Sequence, residues 1–117
     1  MPSTTGYKRG DVVLVPFPFT DLTSTKQRPA LVVSSDLFNI THSDVIVAAI
    51  TSQIPITLAA DEFPISNHDL LSCGLPKASI LKLSKIVTLH QRLIVKQIGA
   101  LPQKTLDLVL IRIRAQF

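Results

Sequence analysis

Two runs of β-branched and small apolar residues, each closed at one end by a polar group, dominate the pattern of this chain. The first is Arg28-Pro29-Ala30-Leu31-Val32-Val33-Ser34, and the second is Val45-Ile46-Val47-Ala48-Ala49-Ile50-Thr51, followed by Ser52-Gln53. Apolar runs of this length between polar residues read as mostly buried strands. As antiparallel neighbours in register they place Arg28 opposite Thr51 and Ser34 opposite Val45. Arg28 and the Thr51 and Ser52 hydroxyls then meet at one rim of the sheet, which makes that rim a candidate active site.

The remaining pattern extends the sheet. Gly10-Asp11 opens a strand over Val12 to Phe17, frayed or at an edge where Pro16 and Pro18 remove ladder donors. Thr20 to Gln27 is a hydroxyl-rich loop too polar for the core, and Ser35 to Asp44 is a turn-forming link. A short strand is expected around Ile56 to Leu58, and an irregular excursion over Ser66 to Pro76. Three more strands follow, Ser79–Leu83, Lys85–Leu89 and Leu93–Gly99, with joints short enough for an antiparallel sheet that curls on itself.

From Leu101-Pro102-Gln103 the period changes to that of a helix, with proline at its first turn. Leu106, Val109, Leu110, Ile113 and Phe117 fall on one face, and Leu108 and Ile111 form a second apolar strip. A helix with two strips is either deeply buried within its own monomer or covers something besides its core, and in so small a domain a subunit interface is favoured. The expected class is therefore mainly β with a C-terminal helix, in a single domain over residues 1–117.

Composition narrows the function classes. Charged residues make up only 17% of the chain, and the net charge is +4, so an acidic partner, either nucleic acid or an acidic protein segment, is favoured. No apolar run is long enough to span a membrane, and Met1 to Asp11 has no apolar h-region, so neither membrane insertion nor a signal peptide is expected. The single cysteine, Cys73, precludes an internal disulfide and fits a reducing cytoplasm; a small buried or loop residue, rather than a nucleophile, is the expected role for it.

Chemistry by spacing is sparse. His42, His68 and His90 are scattered, with no metal-ligand spacing, and no metal or cofactor is expected. Gly6, Gly10, Gly74 and Gly99 are isolated and form no phosphate loop, and no nucleophile-elbow motif occurs. What remains is Arg28 with Thr51 and Ser52. A guanidinium binds a phosphate through two parallel hydrogen bonds, and a neighbouring hydroxyl can donate to another phosphoryl oxygen. Together they suit the charge-rich transition state of phosphoryl transfer. RNA carries its own nucleophile, the 2′-hydroxyl, so no metal-bound water is required.

The blocks Gly10-Asp11-Val12-Val13-Leu14-Val15, Phe17-Pro18-Phe19-Thr20-Asp21-Leu22, Lys26 to Ser34 and Ala49-Ile50-Thr51-Ser52-Gln53 resemble the PemK/MazF ribonuclease toxins. So do Lys77 to Lys85 and Ile94 to Leu101, so the likeness runs in order from about Lys8 to Arg114. The resemblance implies a small SH3-like antiparallel β-barrel with a C-terminal α-helix, acting as a homodimer. It also implies a sequence-selective, metal-independent endoribonuclease that cuts single-stranded RNA to 2′,3′-cyclic phosphate and 5′-hydroxyl ends, opposed by a cognate antitoxin.

Family catalytic roles fall on Arg28 and Thr51, with Ser52 as a helper. Because a guanidinium is a poor base, Arg28 suits charge stabilisation and proton donation to the leaving 5′ oxygen, while Thr51 orients the phosphate. RNA contacts are expected from Thr20, Thr23, Ser24, Lys26, Gln27, Gln53, Lys82 and Lys85. Phe17 and Phe19 are the nearest stacking candidates. One departure stands out: Ser84 lies between Lys82 and Lys85 where many relatives carry an acidic residue. A DNA gyrase poison on the same fold and a decayed, antitoxin-binding toxin are the alternatives, and the intact Arg28 and Thr51 favour the ribonuclease.

Overall fold

The computed structural model describes residues 6–16 and 26–117. Among these residues six strands form one antiparallel sheet: β1 (Asp11–Pro16), β2 (Gln27–Val32), β3 (Asp44–Thr51), β4 (Glu62–Pro64), β5 (Ile80–His90) and β6 (Lys96–Ala100). Three helices accompany it: α1 (Asp36–Thr41), α2 (Asn67–Cys73) and α3 (Gln103–Arg114). The strand order is β4-β5-β3-β2-β1-β6.

The expected register is the observed one. Ala30 pairs with Ala49, Leu31 with Ala48 and Val32 with Val47. Continued to the rim, that register sets Arg28 against Thr51. β3 pairs β5 on its other side, so the central strands are buried on both faces and read as unbroken apolar runs.

One face packs Val12, Leu31, Ala48, Ile50, Leu81 and Leu83 against Cys73 and Leu75 and against Leu106 and Val109 of α3. The other encloses Val13, Val15, Ala30, Val32, Val47 and Ala49 with Leu89 and Ile94. β5 and β6 lie on opposite sides of β3-β2-β1, yet only a 3₁₀ turn over Gln91–Leu93 and two further residues join them. In a flat sheet they would stand roughly 19 Å apart, more than a link with a 3₁₀ turn covers. The sheet therefore curls around its second core as an open barrel, with β4 and β6 as the unjoined edges.

Several elements differ from the pattern reading. No strand forms at Ile56–Leu58, where Ile56 is fully exposed and Pro55 removes a ladder donor. The edge position beside β5 goes instead to β4, whose Phe63 pairs with Leu81. Ser79–Leu83 and Lys85–Leu89 are one strand, β5. Its pairing jumps from Ala49↔Lys82 to Ala48↔Ile86, leaving Leu83, Ser84 and Lys85 in a bulge. The third expected strand starts later, at Lys96.

Both supposed irregular links hold helices capped by serine. Ser35 accepts from the Phe38 amide at 3.1 Å and Ser66 from the Asp69 amide at 3.2 Å. In α3, Leu106 and Val109 are buried while Leu108 and Ile111 stay exposed, as the two-strip reading expects. Phe117, placed on the inner strip, is 87% exposed because the helix ends at Arg114.

The end of α2 is pinned to β6. Gly74 closes the helix in the left-handed conformation, φ 70°. A Cβ there would lie 1.9 Å from the Ile98 carbonyl oxygen, and a Cβ on Gly99 would lie 2.4 Å from both the Cys73 carbonyl carbon and the Ser72 oxygen. Thr105 ties the same helix to α3 by donating to the Asp69 carboxylate at 2.7 Å. Cys73 is fully buried, and desolvation with the Asp69 charge pushes its thiol up to about 11, so it is a core residue and a poor nucleophile. No described helix is long and apolar enough to cross a membrane.

Candidate active site

The β2–β3 rim opens on a recess of about 230 Å³. Arg28, Thr51 and Ser52 line it, together with apolar Leu14, Pro29, Ile50, Leu75 and Ile98 and with Pro76, Lys77 and Ser79. Four strands and the loop after α2 thus converge on one concavity. Continued by alternation from the Ala30↔Ala49 pair, Arg28 and Thr51 share one face of the sheet.

Arg28 is half-buried and its Nε is out of solvent, so the guanidinium is held by the fold along part of its length. Thr51 Oγ1 accepts from the Gln53 backbone N–H at 3.1 Å. A hydroxyl that already accepts a hydrogen bond from its own turn keeps its proton free to donate. A planar cation beside an oriented O–H donor is a phosphate-binding pair.

A model of the PemK-like, MazF-like toxins of type II toxin–antitoxin systems matches residues 8–117. The chain belongs to this toxin family. Its fold is shared with an endoribonuclease in complex with its cognate antitoxin from a mycobacterial species, at TM-score 0.72 and 19% identity over 94% of this chain and 92% of that one. MazF from Deinococcus radiodurans matches at TM-score 0.74 and 18% identity over 97% of each chain. The Mycobacterium tuberculosis toxin MazF-mt6 matches at TM-score 0.69 and 21% identity over 91% and 93%. No curated protein matches the chain significantly in sequence.

The toxin's other expected contacts distribute unevenly. Thr20, Thr23 and Ser24, with Phe17 and Phe19, lie outside the described residues. Lys26 and Gln27 are exposed, Gln27 opening β2 at the rim, and Gln53 lies two residues beyond Thr51. Gln53 contributes through its backbone amide, which orients the Thr51 hydroxyl.

Lys82 and Lys85 do not line the recess. Lys82 forms an ion pair with Glu62 at 2.6 Å, and Lys85 sits in the β5 bulge. The Ala59 amide and the Lys82 ammonium together hold the Glu62 carboxyl below its ordinary range. The Ser84 hydroxyl donates to Asp61, lowering that carboxyl likewise. The β5 lysine-serine segment is thereby knitted to the acidic pair Asp61-Glu62 at the start of β4.

His42 stacks on Phe38 with ring centroids 4.0 Å apart, and His90 accepts from the Arg92 amide at 3.0 Å. Both therefore have structural roles away from the recess. Among the described residues no group of three or more histidine, cysteine or acidic side chains gathers as a metal site. Lys77 lines the recess although pattern reading gave it no role. Its signal was its place in the Lys77-Ala78-Ser79 block, which leads into β5.

Proposed function

We propose that this toxin is a metal-independent endoribonuclease that cleaves single-stranded RNA at the Arg28–Thr51 rim. One observation carries the reading: the observed β2–β3 register brings the guanidinium and the oriented hydroxyl to a single recess. The scissile phosphate sits between them. The 2′-oxygen of the upstream ribose bonds to phosphorus as the bond to the 5′ oxygen breaks, leaving a 2′,3′-cyclic phosphate and a 5′-hydroxyl. The 2′-hydroxyl proton passes to water, Arg28 supplies one to the 5′ oxygen and regains one from water, so the reaction is proton-neutral.

Arg28 neutralises charge on the non-bridging oxygens, where a fixed cation stabilises the five-coordinate state more than the ground state, and it donates to the departing oxygen. Thr51 donates to another phosphoryl oxygen and fixes the phosphate for in-line attack. Ser52 adds a second hydroxyl at the same rim. The compartment is the cytoplasm, and the natural opponent is a cognate antitoxin that occupies the same groove. The exposed Leu108–Ile111 strip of α3 is the face on which a second copy docks, which sedimentation equilibrium reads directly.

The test is Thr51→Val, which keeps the side-chain shape and removes the donor. In EDTA, single-turnover cleavage should slow by about 10²-fold, the scale of losing one preorganised donor. A rate equal to that of the native chain would remove Thr51 from the site.

A further inference from the structure

The loop between α2 and β5 forms part of the recess wall and is tied down at both ends. The Gly74 amide closes α2 onto Leu71 at 3.1 Å, and the Leu75 amide returns to Leu70 at 3.0 Å. Leu75 is buried. The Ser79 carbonyl accepts from the Ile65 amide at 3.1 Å, and the nearly buried Ser79 hydroxyl donates back to the Lys77 carbonyl at 2.9 Å. The close approach of Gly74 and Gly99 then presses this loop against β6.

Lys77 is carried between those two anchors, its carbonyl held by the Ser79 hydroxyl. It lines the recess with Arg28, Thr51 and Ser52, and its side chain is exposed. No described residue forms an ion pair with its ammonium. The site thus has a half-buried cation at one wall and an exposed, flexible-stemmed cation at the other. A point-charge ammonium on a long stem suits a phosphate whose position varies, whereas the guanidinium fork suits one held in fixed geometry.

We propose that Lys77 is an RNA-binding residue that holds a phosphate flanking the scissile one, so that the strand is gripped from both walls of the recess. The inference rests on the reading of this recess as the RNA-cleavage site. It makes Lys77 a positioning residue that acts on strand binding, with bond breaking left to Arg28 and Thr51.

The experiment compares the native chain with Lys77→Ala and Lys77→Arg on one single-stranded RNA oligonucleotide containing a mapped cut. Binding is measured on the same oligonucleotide carrying a single 2′-deoxy residue at the cut. For Lys77→Ala, KM should rise about three- to tenfold, the range between an exposed and a desolvated charge-assisted contact, with kcat within about twofold. The slope of log affinity against log salt should become shallower by about 0.7, one phosphate on a single strand. Lys77→Arg should restore both. An unchanged KM and salt slope in Lys77→Ala, with the native chain cleaving normally, would overturn the proposal and leave the active site standing. A fall in kcat with KM unchanged would overturn it too, by moving Lys77 into the chemical step. A native chain that neither binds nor cuts RNA would overturn the site itself, and the proposal with it.

Discussion

Replacing Arg28 with alanine is expected to lower the single-turnover rate of RNA cleavage by at least about 10³-fold, the upper range for loss of one preorganised charge-stabilising group. Arg28 is the only recess-lining guanidinium among the described residues, and it faces Thr51 across the β2–β3 pair. No neighbouring group reproduces its two parallel donors. Arg28→Lys should recover only a small part of the loss, because an ammonium keeps the charge and loses the fork. Arg28 lies at the rim, beyond the buried Ala30-Leu31-Val32 segment. Both variants should therefore unfold close to the native midpoint, which separates a catalytic loss from a folding one. A cleavage rate within tenfold of native for Arg28→Ala would remove this residue from the chemistry.

Gly99→Ala is expected to destabilise the fold by about 3 kcal/mol, at the upper end of the usual cost of overpacking. The added methyl would meet the Ser72 oxygen and the Cys73 carbonyl carbon at 2.4 Å and the Cys73 oxygen at 2.6 Å. All three are backbone atoms at the end of a helix, so no rotamer change relieves the contact. Either α2 retreats from β6 or β6 shifts along β1, and both moves disturb the recess, since Leu75, Pro76, Lys77 and Ile98 line it. Urea unfolding of Gly99→Ala beside Lys96→Ala, an exposed position on the same strand, isolates the effect. The Lys96 variant should stay within about 0.5 kcal/mol of native. Equal midpoints for the Gly99 variant and the native chain would mean that α2 does not press on β6.

The two apolar runs carried most of what was legible beforehand. Strands buried on both faces admit few polar interruptions, so their ends are sharp. Matching those ends fixed the Ala30↔Ala49 register and, with it, the meeting of Arg28 and Thr51. α3 was legible for a similar reason: its length lets the helical period emerge.

α1 and α2 span six and seven residues, too short for a period, and only their caps betray them. Ser66-x-x-Asp69 and Gly74 were the available signals for α2. β5 looked like two strands because the polar Ser84-Lys85 step resembles a turn. A bulge lets the ladder resume beyond it with the alternation displaced. Lys77 is not legible from pattern because its place depends on α2 and on the two glycine contacts with β6, which join segments far apart in sequence.

The most direct test of the central claim uses the substrate. A single-stranded RNA incubated with the toxin in EDTA should be cut to products with 2′,3′-cyclic phosphate and 5′-hydroxyl ends. The same RNA with one 2′-deoxy residue immediately 5′ of the scissile phosphate should bind with similar affinity and remain uncut at that phosphate. Undiminished cleavage at the deoxy position, or products ending in 5′-phosphate, would contradict an Arg28–Thr51 site that relies on the nucleophile of its own substrate.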